Sequence, residues 1–230
     1  MDMTIAPIRD FLGGVPLFAD LERRALDRIA SRTTVLDVPR GTVIFRQGNA
    51  CVGMNIVMRG QVKLALNTNG GEEKVVELLG PGASFGETSL FLGQPHLANA
   101  EAVSDATLLQ ISCEDIREEV RHNPGFAERV IRQLCQRLYQ RAIELQGHMT
   151  LSGTQRVIHY LLNNCPHDSA ARELRLTLSV KKGLIASRLN LTQAHFSRIL
   201  HGLVEAGLIE VNGRNVRIHD VARLQERAAA

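Results

Sequence analysis

The period of the apolar positions changes along this chain. In residues 20–31, DLERRALDRIAS, Leu21, Ala25, Leu26 and Ile29 recur at helical spacing, which predicts an amphipathic helix with Asp20 placed to cap its start. From there to about residue 111 the texture is strand-like. TTVLDVP, GTVIFRQG, NIVMRG, QVKLALN, EKVVELLGPG and ATLLQI are short β-rich segments punctuated by Gly and Pro. Asn69-Gly70-Gly71 is a hairpin signal. Such spacing predicts an antiparallel sandwich or barrel.

Helical spacing returns at Cys113–His122, and Asn123-Pro124 ends that helix and starts another. From Phe126 to about Met149 there is no Pro and one Gly, Gly147. Ile131, Leu138 and Leu145 recur every seven residues, Leu134 follows Ile131 by three, and Ala142 follows Leu138 by four. The pattern predicts a coiled-coil seam of about three heptads. The alternative is an amphipathic helix packed on its own barrel, since Arg141 and His148 interrupt the strict second seam position. After Ser152-Gly153 the text predicts a helix, TQRVIHYLLNN, a polar loop over 166–173, and a strand carrying Leu174, Leu176 and Leu178.

The most specific signal is KKGLIASRLNLTQAHFSRILHGLVEAGLI. Leu184, Ile185 and Leu189 give a first helix an apolar side, Asn190-Leu191 makes a short turn, and Thr192 is placed to cap a second helix. Phe196, Ile199, Leu200, Leu203 and Val204 form its buried stripe, and Gly207 ends it. The opposite face carries Gln193, Ala194, Ser197, Arg198 and His201. This is a helix-turn-helix, whose second helix meets base edges near its N-terminus. Arg198 suits guanine, Gln193 suits adenine, and the Ala194 methyl suits thymine. Lys181, Lys182, Arg188 and His201 flank the face as phosphate contacts. The hairpin LIEVNGRNVRIHD, turning at Asn212-Gly213, forms a wing with Arg214 at its tip.

Charge supports this reading. Residues 151–230 hold eleven Lys and Arg against six Asp and Glu, a formal +5, whereas residues 1–150 come to −2. The four cysteines, Cys51, Cys113, Cys135 and Cys165, are scattered and form no zinc or disulfide framework, so they are read as buried small hydrophobes. No apolar run is long enough for a membrane span and the N-terminus lacks signal-peptide features, so the expected compartment is the cytoplasm. A cupin-type enzyme is the rival from another class. It would need an HxH-type metal constellation, and the sequence offers no such set and no catalytic grouping.

Over nearly its whole length the chain resembles the Crp/Fnr family of bacterial regulators. The matching stretches are PRGTVIFRQGN, VMRGQVKLAL, LLGPGASFGETSLFLGQPHLANAEA, the long helix, and LTQAHFSRILHGL. The resemblance implies an α+β chain: an antiparallel β-barrel or jelly roll like a cyclic-nucleotide-binding fold over 1–122, a dimerisation helix over 123–150, and a winged helix-turn-helix over 151–230. It implies a homodimer reading two half-sites of double-stranded DNA, with RNA polymerase as a partner if it activates. It places the effector pocket at Gly86, Glu87, Thr88, His96 and Leu97, and the dimer contacts at Ile131, Leu134, Leu138, Ala142 and Leu145.

Departures shape the effector expectation. The cyclic-AMP-binding branch follows Gly-Glu with an Arg-Ser or Arg-Thr that holds the cyclic phosphate. Here Pro95-His96-Leu97-Ala98-Asn99 offers no Arg, which argues against cyclic AMP, since a buried phosphate without a partner is costly. No N-terminal cysteine cluster is present, which argues against the iron–sulfur centre of the Fnr branch. Phe45-Arg46-Gln47-Gly48 and His195-Phe196-Ser197-Arg198-Ile199 look closer to the Dnr-type branch, linked to haem and nitric oxide. Haem is therefore a candidate effector, with His96, His122, His148, His159 and His167 as available axial donors, and another small molecule or a redox signal is the alternative; no metal ligand set is assigned. Ala194 stands where both main branches usually carry a Glu that accepts from cytosine, which puts the usual half-site in doubt.

Overall fold

The structure, a computed structural model, describes residues 5–67, 73–165 and 173–229. The Asn69-Gly70-Gly71 turn and His167 lie outside them. The chain divides into two compact units, 1–138 and 139–230.

The first unit opens with α1 (Ile5–Gly13), which buries Ile8 and Leu12, and α2 (Arg23–Ser31), which buries Ala25 and Ile29. Asp20 does not cap α2. It sits in the left-handed region at φ 63°, and Glu22 takes the N-cap position without a side-chain bond. Then follow β1 (Thr34–Val38), β2 (Val43–Phe45), β3 (Gly53–Arg59), β4 (Val62–Asn67), β5 (Glu73–Leu79), β6 (Ser84–Phe85), α3 (Glu87–Leu92), β7 (Asn99–Ala102) and β8 (Ala106–Ser112). They form two four-stranded antiparallel sheets, ordered β1-β8-β3-β6 and β2-β7-β4-β5. The strand texture of the sequence thus becomes a two-sheet jelly roll. The short elements β6, α3 and β7 were not visible as separate elements, because they hold few residues and little periodicity.

Successive strand side chains point to opposite faces, and β3 and β8 are covered on both. Met54, Ile56, Leu109 and Ile111 join one apolar cluster with Leu12, Ile116 and Phe126 of the helices and Phe18 of the α1–α2 connection. Val57 and Leu108 join another with Val62, Leu79, Phe85 and Ala102 of the strands. Each such buried Leu or Ile contributes about 1.5–3 kcal/mol. At the β3–β4 turn Gly60 adopts φ +83°, and a Cβ there would meet the Asp105 carbonyl oxygen at 2.2 Å, so no other residue fits without moving backbone.

Helix α4 (Cys113–His122) is capped by Ser112, whose hydroxyl accepts from the Asp115 N–H. Its buried Glu119 accepts from Arg28 of α2 at 2.5 Å and from the Asn123 amide at 3.1 Å. Asn123 Oδ1 accepts from the Phe126 N–H at 3.0 Å and Pro124 opens α5 (Pro124–Thr150), which suits a residue lacking an N–H at a first helical position.

In the second unit, α6 (Gly153–Asn163) starts with a capping box between Ser152 and Gln155. After it come β9 (Leu174–Thr177), α7 (Lys182–Arg188), α8 (Gln193–Glu205), β10 (Ile209–Asn212), β11 (Asn215–Ile218) and α9 (Val221–Ala229). The three strands form one antiparallel sheet ordered β10-β11-β9.

Candidate nucleic-acid interface and effector site

The turn between α7 and α8 is built by hydrogen bonds that consume the end of α7. Leu191 N–H donates to Ala186 O at 2.9 Å and Asn190 N–H to Ser187 O at 3.1 Å, with Asn190 left-handed at φ 58°. The Thr192 hydroxyl then accepts from His195 N–H at 3.2 Å, so the predicted cap is present. Phe196, Ile199, Leu200 and Leu203 are buried, and Gly207 ends α8 through the paired bonds Leu208 N–H to Leu203 O and Gly207 N–H to Val204 O. Val204 departs from the predicted stripe and is 39% exposed. At i+8 from Phe196 it has turned away from the stripe's centre.

Gln193, Ala194, Ser197, Arg198 and His201 are all exposed. Two of them have neighbours. A Cβ on Gly183 would meet Gln193 Oε1 at 2.8 Å, so the end of the Gln193 side chain lies against α7 at Gly183. His201 Nε2 is 3.3 Å from Glu205 on the same exposed face. Lys181 is exposed at the α7 N-cap and Lys182 is half-buried in its first turn. Arg188 is committed elsewhere, donating to Glu144 of α5 at 2.9 Å, while Arg141 donates to the same carboxylate at 2.7 Å. Burial opposes ionisation of Glu144, but Arg188 and Arg141 outweigh it and hold the carboxyl below the usual range. In the wing, Asn212 pairs with Asn215 across a two-residue loop, with Gly213 at φ 61° and Arg214 exposed beside it.

In the first unit, Gly86 caps α3 at φ +96°, and a Cβ there would sit 3.0 Å from the Gly53 carbonyl oxygen. The turn directs Glu87 inward, 4% exposed. Its Oε1 pairs with Arg137 of α5, whose other terminal nitrogen donates to Ser84 O at 2.5 Å; Gln133, one turn earlier, donates to Ser84 Oγ at 2.7 Å. Glu87 Oε2 is buried with no hydrogen-bond partner among the described residues. Burial pushes the Glu87 carboxyl above its ordinary range and outweighs the opposing charge of Arg137.

Of the other expected pocket residues, His96 stays beside Gly86, where an added Cβ would lie 3.8 Å from His96 Cε1, and the other two face outward. Thr88 is exposed and Leu97 is 72% exposed. His96 is buried, with its ring stacked on Phe45 at a centroid distance of 3.6 Å, and burial lowers its pKa. An arginine does reach Glu87, but it comes from α5 and not from the cassette. Arg137 and Gln133 lie four residues apart on one helical face, a polar pair visible in sequence without any sign of what it would face.

Residues 35–123 match the cyclic nucleotide-binding domain family, and residues 155–227 match the Crp-like helix-turn-helix domain family. The cyclic AMP receptor protein of Thermus thermophilus is 30% identical over 213 residues, which cover 93% of this chain and 96% of that protein. The chain belongs to the Crp/Fnr family. Crp/Fnr proteins are DNA-binding transcription regulators, not enzymes, so the cupin reading falls. The global nitrogen regulator of Synechocystis is 25% identical over 193 residues, covering 81% of this chain and 85% of that one. The crystal structure of DNR from Pseudomonas aeruginosa is 28% identical with a TM-score of 0.53, covering 98% of this chain and 99% of the other. DNR is thus one Crp/Fnr relative among several, beside a cyclic AMP receptor and a nitrogen regulator.

On α5 the exposed apolar residues are Ile131, Leu138, Tyr139, Ile143, Leu145 and Met149; Cys135 and Ala142 are exposed as well. Leu134, another of the expected seam residues, is half-buried against the cluster containing Phe126 and Val130. Removing it and admitting Cys135 and Met149 leaves 131, 135, 138, 142, 145 and 149, an unbroken alternation of four- and three-residue steps. Arg141 and His148 no longer interrupt that series.

The remaining histidines are dispersed. His122 Nδ1 is 2.9 Å from Glu118 O, while His148 and His159 line a cleft of about 470 Å³ with Arg156 and Tyr160. Among the described residues no His, Cys, Asp and Glu cluster would hold a metal, and no helix is long and apolar enough to cross a membrane.

Proposed function

We propose that this Crp/Fnr protein is a homodimeric, effector-controlled regulator whose 123–150 helix joins two chains and whose 151–230 region reads two half-sites. The observation that carries DNA reading is the α8 face. Its buried stripe from Phe196 to Leu203 and its Thr192 cap are in place, while Arg198, Ser197 and Gln193 stand exposed at its N-terminal half. Arg198 reads guanine, and Lys181, Lys182, His201 and Arg214 hold phosphates. Arg188 is left out, since Glu144 occupies it.

The dimer seam is the series Ile131, Cys135, Leu138, Ala142, Leu145 and Met149. A Leu138 side chain 72% exposed on a 27-residue helix favours burial against a second copy.

The effector seat is Glu87 with Arg137. The unpartnered Glu87 Oε2 favours an effector that donates a hydrogen bond, such as a hydroxyl or amide group. Arg137 is the neighbour of Leu138, so an occupant that shifts the Arg137–Glu87 pair acts on the same turn of helix as the seam. A cyclic phosphate is disfavoured: neutral His96 is buried and stacked, and Arg137 is already paired. A histidine-ligated haem does not fit the cassette either, because the His96 ring is held face to face against Phe45. The test is selection from randomised duplex DNA with the full chain, with sedimentation of the complex. Enrichment of a two-fold site bound by two copies is expected; an unenriched pool at moderate salt overturns the reading.

A further inference from the structure

The two cysteines that look unrelated in sequence meet in the fold. Cys51 precedes β3 and Cys113 opens α4, and their sulfurs are 3.7 Å apart although 62 residues separate them. The backbones are already fixed at this spot: Gly53 pairs with Ser112 in the β3–β8 ladder, and Cys113 N–H points to Val52 O at 3.4 Å. Both side chains are half-buried at the margin of the cluster under α4, and both are reduced. We propose that Cys51 and Cys113 are an oxidisable dithiol whose disulfide form alters the effector cassette.

The two sulfurs, 3.7 Å apart, are in contact and must close to about 2.05 Å to form the bond. With hydrogen peroxide as oxidant, the Cys113 thiol gives up its proton, the thiolate attacks a peroxide oxygen, the O–O bond breaks, and the departing hydroxide takes up that proton, leaving a sulfenic acid and water. The Cys51 sulfur then attacks the Cys113 sulfur, the S–O bond breaks, and a second water leaves as the disulfide forms. Two thiols lose two protons and two electrons, and the peroxide takes them up.

The coupling lies in what Cys51 does when reduced. Its Sγ is 3.5 Å from Gly53 O and 3.6 Å from Gly86 O, so the thiol proton faces both carbonyls. Burial, with Cys113 alongside, pushes the thiol up to about 11, which keeps that proton in place. Gly86 is the residue that turns Glu87 inward. Oxidation removes the donor beside Gly86 and draws Cys51 toward α4. The other two thiols are placed differently: Cys135 is exposed on α5 and Cys165 is buried in the second unit.

The effect on the cassette rests on the effector reading above; formation of the disulfide does not. The full-length protein is treated with hydrogen peroxide, and separately with diamide, then analysed by intact mass and non-reducing peptide mapping. A loss of two hydrogens and a Cys51–Cys113 cross-linked peptide are expected, reversed by dithiothreitol. Cys51→Ser and Cys113→Ala each abolish it, and Cys135→Ser does not. Oxygen addition without a cross-link, or only a covalent dimer through Cys135, overturns the dithiol. If the disulfide forms and affinity for the selected DNA changes by less than twofold, the coupling through Gly86 is overturned while the dithiol stands.

Discussion

Arg137 of α5 pairs with the buried carboxylate of Glu87, and this ties the long helix to the first turn of α3 across 50 residues of sequence. The pair places an ionisable group with a raised pKa at the effector seat.

Stability should therefore depend on pH through Glu87. Its folded-state pKa lies above the unfolded value, so its favourable contribution is complete below the ordinary carboxylate range and is lost as pH rises through the folded value. Glu87→Gln removes this dependence. Arg137→Ala takes away the opposing charge, raises the carboxyl further, and costs about 1–3 kcal/mol at neutral pH, less in mild acid. Urea midpoints across mildly acidic to neutral pH check this; equal losses for Arg137→Ala at every pH would show that the pair carries no titrating charge.

The α8 face makes a specificity prediction. Arg198→Ala should cost about 1–3 kcal/mol at the selected site and relax one base pair per half-site. Lys182→Ala should weaken all sequences alike and lower the salt slope by about one ion per half-site. Binding isotherms over a salt series separate the two. The same loss for both variants on every sequence contradicts base reading by Arg198.

Ala194 sharpens this. A methyl group accepts nothing from cytosine, so the neighbouring pair should be weakly selected or favour thymine, and Ala194→Glu should shift it toward cytosine. Selection on wild type and variant decides the point, and an unchanged preference removes Ala194 from the interface.

The seam predicts that Leu138→Glu, which sets like charges opposite one another, converts dimer to monomer in sedimentation. Leu134→Glu should act differently. Leu134 is half-buried against the first unit's core, so that change lowers folding stability by about 1–3 kcal/mol. If Leu138→Glu stays dimeric, the interface lies elsewhere.

Glu87 should select against cyclic AMP without its phosphate partner. Calorimetric titration should give no saturable binding at micromolar nucleotide; tight binding that also raises DNA affinity would mean that Arg137 exchanges Glu87 for the phosphate.

Several features were set by the sequence alone. The strands other than β6 and β7, the Asn123-Pro124 break, the Thr192 cap, the Asn190 turn, the α8 stripe up to Leu203 and the Asn212-Gly213 wing all depend on neighbours within one or two turns. Backbone hydrogen bonding and side-chain period act at that range, so composition and spacing suffice to read them. Tertiary structure decided the rest. It turned Leu134 inward and left Cys135 and Met149 exposed, because which side of α5 meets the first unit's core depends on how Phe126 and Val130 pack. It stacked His96 on Phe45, brought Arg137 to Glu87, and set Cys51 beside Cys113. Those partners lie in elements whose adjacency follows from the order of strands in two sheets, and no local period in the chain records that order.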